Sequence, residues 1–291
     1  MKKFFLILFA VLITAQCERD KWPENFHEAF IEDFSNPTSK FFNFWGNDFL
    51  FSHAQEGVKP LTMKIDTANS AGPGNGPEIY TKDYIYYGSY QVRLKIPDVV
   101  NIQPNVGAVV GFCTYFAHES LGRSEIDFEW LIAKPEFVYI GTWTGPYALD
   151  KMKGISRIIN LATGKVHSTT YRTGLSGKTS PLTGAQCLPE AIEPIENFNA
   201  ASQFYTYGFD WYPNRIIWWI IHPTSGERVV LWDYTGQTPE RGFTGIPKIY
   251  AKNFLNIWHT NNWTEYTNRN AIEKPLDYYG VEIEMVSYTP Y

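Results

Sequence analysis

Cysteine is scarce: the chain has three in 291 residues, Cys17, Cys113 and Cys187. That excludes a small scaffold held together by disulfides. Charge is sparse as well, at 19% of residues against roughly 25% in an ordinary globular chain. The formal balance is −5 and no basic cluster is present, which argues against nucleic acid or an anionic membrane as an electrostatic partner. The six histidines show no metal-ligand spacing. His-Glu-x-x-His, Gly-x-Ser-x-Gly and phosphate-loop patterns are all missing. No cofactor is called for, and no residue pattern supports a structural Ca2+ or other metal site. After the first residues no apolar run approaches the roughly 20 residues of a membrane span.

The start of the chain is the exception to that polarity. Lys2 and Lys3 precede an uncharged apolar run from Phe4 to Ile13, the pattern of an export signal over residues 1–16. Cys17 stands where such a signal ends, followed by the polar Glu18-Arg19-Asp20-Lys21. Two outcomes are open: cleavage near Ala15, or lipidation of Cys17 as in bacterial lipoproteins, with Gln16 where a small residue is usual. Residues 17–26 read as a linker or tether. The expected product is secreted or lipid-anchored at the cell surface, and monomeric.

Aromatic residues are abundant: twenty Phe, nineteen Tyr and ten Trp. With so little charge, this excludes a disordered chain. Apolar and polar residues alternate over Leu61–Ile65, Tyr90–Ile96 and Val281–Met285, the period of half-buried strands. Val109–Tyr115, Phe137–Trp143, Phe204–Trp211, Ile216–Ile221 and Val229–Trp232 add further strand candidates. Turn clusters such as Ala71–Gly76, Tyr212–Asn214 and Pro223–Gly226 separate them. No amphipathic helix of three turns is evident. Many short strands predict an all-β sandwich or barrel, read as a single domain over residues 27–291. Residues 150–202 are poor in apolar runs and read as a long loop insertion, with Ile155–Leu161 and Val166–Tyr171 as its strand candidates. Cys113 lies in an apolar run and reads as a buried thiol; a Cys113–Cys187 disulfide is the alternative.

Residues 124–130 carry the chemistry: Ser-Glu-Ile-Asp-Phe-Glu-Trp. On a helix the three acids would scatter, but on a strand Glu125, Asp127 and Glu129 share one face and Ile126, Phe128 and Trp130 the other. The acids then stand about 6.8 Å apart per step and raise one another's pKa. Alone, such a row also fits a solvated face or a cation site. Two glutamates leaning together across a shorter aspartate suit glycoside hydrolysis. Carboxyl groups roughly 5–5.5 Å apart favour double displacement with retention, and the aspartate helps to split their pKa values.

The segment resembles the catalytic strand of glycoside hydrolase family 16, which holds lichenases, laminarinases and xyloglucan transglycosylases. Further stretches resemble the family in the same order. They are Pro77-Glu78-Ile79-Tyr80 with Tyr87–Lys95, Phe112–Tyr115, Tyr205–Trp211 with Ile216–Trp219, and Leu255-Asn256-Ile257-Trp258. The resemblance implies a β-sandwich jelly roll (concanavalin A-like) with a concave substrate cleft. It implies Glu125 as nucleophile, Asp127 as its assistant and Glu129 as general acid/base. It implies Glu78, Tyr115, Asn256 and Trp258 on the substrate path, with Trp143 as a further stacking candidate. The expected activity is internal cleavage of a polysaccharide, with β-1,3/1,4-glucan foremost.

Departures stand beside the match. Arg123-Ser124 replaces the Trp-Asp pair of lichenases, Tyr80 replaces an Arg, and the strand Gly141–Gly145 differs in sequence. Other β-glycans therefore stay open as substrates (xyloglucan, agar, carrageenan), as do transglycosylation and a non-catalytic glycan-binding sandwich. Trp143, Trp258, Trp263 and His259 are each sugar-stacking groups or core fillers. Trp218 and Trp219 lie on opposite strand faces, Trp211 reads as core, and Asn262-Trp263-Thr264 is a glycosylation sequon.

Overall fold

The computed structural model describes residues 28–46, 49–51, 60–69, 72, 74–236, 238, 243–260 and 273–291. The export signal, Cys17, the 17–26 tether, Trp263 and the 262–264 sequon lie outside the described residues.

Among the described residues seventeen strands form two antiparallel sheets, the jelly-roll sandwich expected. The nine-stranded sheet runs, in spatial order, Thr179–Pro181, Lys165–Thr173, Lys153–Asn160, Phe137–Gly145, Gly122–Leu131, Ala108–His118, Lys252–His259, Glu78–Thr81 and Phe42–Trp45. The other sheet runs Arg228–Tyr234, Arg215–Ile221, Tyr205–Tyr212, Gly88–Lys95, Tyr279–Pro290, Leu61–Ile65 and Phe49–Phe51, with Phe30–Glu32 paired to Tyr279–Pro290.

The aromatic excess fills the space between them. Phe112 meets Phe209 at 5.4 Å between ring centroids, and Trp130 meets Tyr207 at 4.6 Å edge-on. Such pairs add about 0.5–1.5 kcal/mol each beyond the area they bury. Trp211 is core, as expected, and its indole Nε1 donates to the Pro247 carbonyl at 3.1 Å. Trp218 and Trp219 do lie on opposite faces, yet both are buried. The Arg228 guanidinium covers Trp219 at 4.0 Å, so neither ring is open to a ligand.

One expectation is corrected and one open alternative is closed. The 150–202 range is not loop throughout, because Lys153–Asn160, Lys165–Thr173 and Thr179–Pro181 extend the nine-stranded sheet. The first two match the strand candidates Ile155–Leu161 and Val166–Tyr171, and only Thr179–Pro181 is new. The disulfide is not formed either: Cys113 and Cys187 are free. Cys113 is buried in the sheet, while the Cys187 thiol donates to the Gly184 carbonyl at 3.0 Å.

Buried Arg157 ties the later part of this range down. Its guanidinium lies 4.8 Å over the Trp232 ring. It donates to the carbonyls of Gln186, Leu188, Pro189 and Leu231 and to the Thr169 hydroxyl. Burial lowers its pKa to about 10.

Candidate active site

Strand Gly122–Leu131 lies in the middle of the nine-stranded sheet, fifth from either edge. Its even-numbered residues Ile126, Phe128 and Trp130 are fully buried between the sheets, and this burial fixes the register. Arg123, Glu125, Asp127 and Glu129 are thereby turned to the opposite, open face. The acid row predicted from the spacing is present. Glu125 and Glu129 are half-buried, whereas Asp127 is only 5% exposed. The shorter aspartate is sunk between Cys113 on one neighbouring strand and Gly141 on the other.

Cross-strand pairing assembles three rows on this face. Glu125 is flanked by Tyr115 and Trp143, and Lys252 lies beyond Tyr115. Asp127 is flanked by Cys113 and Gly141, with Phe254 and then Tyr80 beyond Cys113. Glu129 lies between Gly111 and Tyr139, and Gly111 is followed by Asn256, Glu78 and Trp45. Close approach explains two of the glycines. A Cβ on Gly111 would stand 2.5 Å from the Asn256 Oδ1, and one on Gly154 would stand 2.9 Å from the Trp143 indole.

The three acids do not titrate alike. Burial and the Glu125 charge raise the Glu129 carboxyl to about 8. Asp127 is pushed well above the carboxylate range by burial and by its two acidic neighbours. Burial also raises Glu125, but Arg123 opposes it: Nη1 lies 3.1 Å from the Glu125 Oε2. The acid nearest a cation is therefore the one most readily ionised, and Glu129 is the natural proton donor near neutrality. Cys113 shares the floor of the row, but burial and the acids around it hold its thiol well above its ordinary pKa, so it is not a nucleophile. Among the described residues no group of three or more His, Cys, Asp or Glu is arranged to hold a metal ion.

This pattern can be set beside known proteins. No protein-family model matches the chain. It is 26% identical over 298 aligned residues to a β-glucanase of Acetivibrio thermocellus, covering 98% of this chain and 70% of that protein. A lichenase structure derived from a mouse hindgut metagenome superposes with a TM-score of 0.55 at 21% identity, covering 90% of this chain and 99% of that one. The laminarinase catalytic domain of Thermotoga maritima gives 0.54 at 12% identity, covering 92% and 99%. The two structures share the fold.

The chain is a glycoside hydrolase family 16-like enzyme. In this enzyme Glu78, Tyr115, Trp143, Asn256 and Trp258 all alternate onto the face that bears the acids, and all are half-buried. Trp258 also packs against the core cluster. His259, one position on, is buried. Burial raises the Glu78 carboxyl.

Sequence reasoning missed Trp45, Phe254 and Lys252 and read Arg123 and Tyr80 only as departures. Phe254 stacks on Tyr80 at 5.2 Å and meets Tyr115 edge-on at 6.0 Å, while the Lys252 ammonium sits 5.0 Å over the Tyr80 ring. Their signal was the alternation of Lys252, Phe254, Asn256 and Trp258, which puts all four on one face. Beyond Arg123, where the hairpins end, a cavity of about 520 Å³ opens between Leu121, Tyr147, Phe243 and Lys248. Neither Glu125 nor Glu129 lines it; the acid row lies on the open face of the sheet.

Proposed function

We propose that the enzyme cleaves internal linkages of a β-1,3/1,4-glucan with retention of anomeric configuration. The observation that carries the proposal is the unequal surroundings of two glutamates on one face of one strand. Glu125 stands beside Arg123, and Glu129 is raised to about 8. In this reading the Glu129 carboxyl gives its proton to the departing glycosidic oxygen as Glu125 attacks the anomeric carbon, forming a glycosyl ester. Water then attacks that carbon, Glu129 takes the proton from the water, and Glu125 leaves as a carboxylate. Asp127 steadies Glu125. Tyr115, Trp143 and Trp258 offer ring faces to successive sugars, and Glu78 and Asn256 bond their hydroxyls. The β-glucanase relative supports the substrate class.

A polymer of this size cannot enter a cell, so the export signal over 1–16 and a secreted or Cys17-anchored location belong to the same reading. Mass spectrometry of the mature N-terminus decides between cleavage and lipidation.

The enzymatic test is a panel of mixed-linkage glucan, laminarin, xyloglucan, agar and carrageenan, with products sized and anomers followed by NMR. The expected result is rapid shortening of mixed-linkage glucan with the β-anomer appearing first. Glu125→Gln and Glu129→Gln should each lower kcat about 10³-fold or more while remaining folded. An α-anomer formed first, or near wild-type turnover in both variants, refutes the reading.

A further inference from the structure

We propose that Arg123 is a positioning residue for the reaction: it holds Glu125 ionised and aimed, using Tyr115 as its brace. The inference rests on the reading of Glu125 as nucleophile. Arg123 sits two residues before Glu125, on the same face of the same strand. Its side chain is only 10% exposed and that of Glu125 19%, so water screens the pair weakly. One nitrogen serves both neighbours: Nη1 donates to the Glu125 Oε2 at 3.1 Å and to the Tyr115 hydroxyl at 3.3 Å. The guanidinium also lies 5.3 Å from the Tyr115 ring centroid. The cation is therefore fixed from the next strand and does not swing freely as a surface arginine would.

Among the described residues no other cation pairs with Glu125. Along its own strand stand Asp127 and Glu129, neither of which can supply a positive charge. On one side are Tyr115 and Cys113, with Lys252 a strand further out and lying over the Tyr80 and Tyr84 rings. On the other side are uncharged Trp143 and Gly141. Without Arg123, burial would push Glu125 toward the protonated, non-nucleophilic carboxylic acid. A nucleophile in such a row needs a dedicated counter-charge, and Arg123 is placed to supply it.

The test is the pH profile of kcat/KM on mixed-linkage glucan for wild type, Arg123→Gln, Arg123→Lys and Tyr115→Phe. It is paired with the rate at which a 2-deoxy-2-fluoro-β-glycosyl fluoride labels the enzyme, fluoride departing as the glycosyl ester forms. Removing the cation raises the pKa of Glu125, so the acid limb of Arg123→Gln should move up by about 1–3 pH units. Labelling should slow most at low pH and recover as pH rises. Arg123→Lys should restore most of the limb. Tyr115→Phe, which keeps the charge and removes the brace, should shift it less in the same direction and so serves if Arg123→Gln does not fold. An acid limb that stays in place, or a loss equal at every pH, overturns the proposal. If the wild-type ester forms on a residue other than Glu125, the mechanism itself fails. If it forms on Glu125 with the same pH dependence in every variant, only the role of Arg123 fails.

Discussion

Trp218 and Asp127 belong to different sheets, and the buried indole Nε1–H of Trp218 donates to the main-chain carbonyl of Asp127 at 3.0 Å. The tie runs from the core to the middle of the acid row and fixes the height of the strand that carries it.

Trp218→Phe should therefore affect both stability and rate. Loss of a buried hydrogen bond and of part of a ring should cost about 2 kcal/mol in denaturant unfolding. The kcat should fall several-fold at temperatures where the variant is fully folded. A variant with lowered stability and wild-type kcat would show that the bond holds the sheets together without aiming the acids.

Glu129→Gln should stabilise the protein in a pH-dependent way. The folded state keeps its proton up to about 8, whereas the unfolded chain loses it near 4.5. Below about 4.5 both states carry the proton, so wild type and variant should differ little. As pH rises through this window, the unfolded wild type gains by ionising while the folded state keeps its proton, so wild type loses stability, which the amide does not. The gap in Tm between variant and wild type should widen from pH 4.5 to 8 and then level off. A gap that is constant, or that closes with rising pH, contradicts the assigned protonation.

Trp45 is 58% exposed and stands opposite Glu78 on the edge strand, four strands from Glu129. At about 4.8 Å per strand that is roughly 19 Å, several sugar units from the reacting bond. Trp45→Ala should raise KM for long glucans about fivefold, the equivalent of about 1 kcal/mol of ring stacking. It should leave short oligosaccharides unaffected. Equal effects on both lengths would place the ring elsewhere on the substrate path.

The acid row was legible because a period of two has one reading once its apolar half is seen: Ile126, Phe128 and Trp130 can only face inward. The same logic exposes Lys252, Phe254, Asn256 and Trp258. The strands within 150–202 showed in the sequence only as two short runs inside a range read as a loop, for a physical reason. Their open-face residues include Gly154, Ser156 and Thr170, and Ser156 and Thr170 bond to each other at 2.9 Å. Arg157, on the inner side, reads as a surface residue until its acceptors are seen to be main-chain carbonyls brought in from 29 or more positions away. Arg123 shows the opposite limit. Its strangeness was visible, but its partner Tyr115 lies on another strand, and spacing does not disclose what crosses between strands.

Arg157 also decides how this chain can be re-engineered. Residues 186, 188 and 189 supply three of its five acceptors, so excising or grafting that stretch leaves a guanidinium in the core with its donors unmatched. A shortened enzyme would need an apolar side chain such as methionine at position 157 before the cut is made, and a loop transplanted here would have to arrive with carbonyls already facing inward.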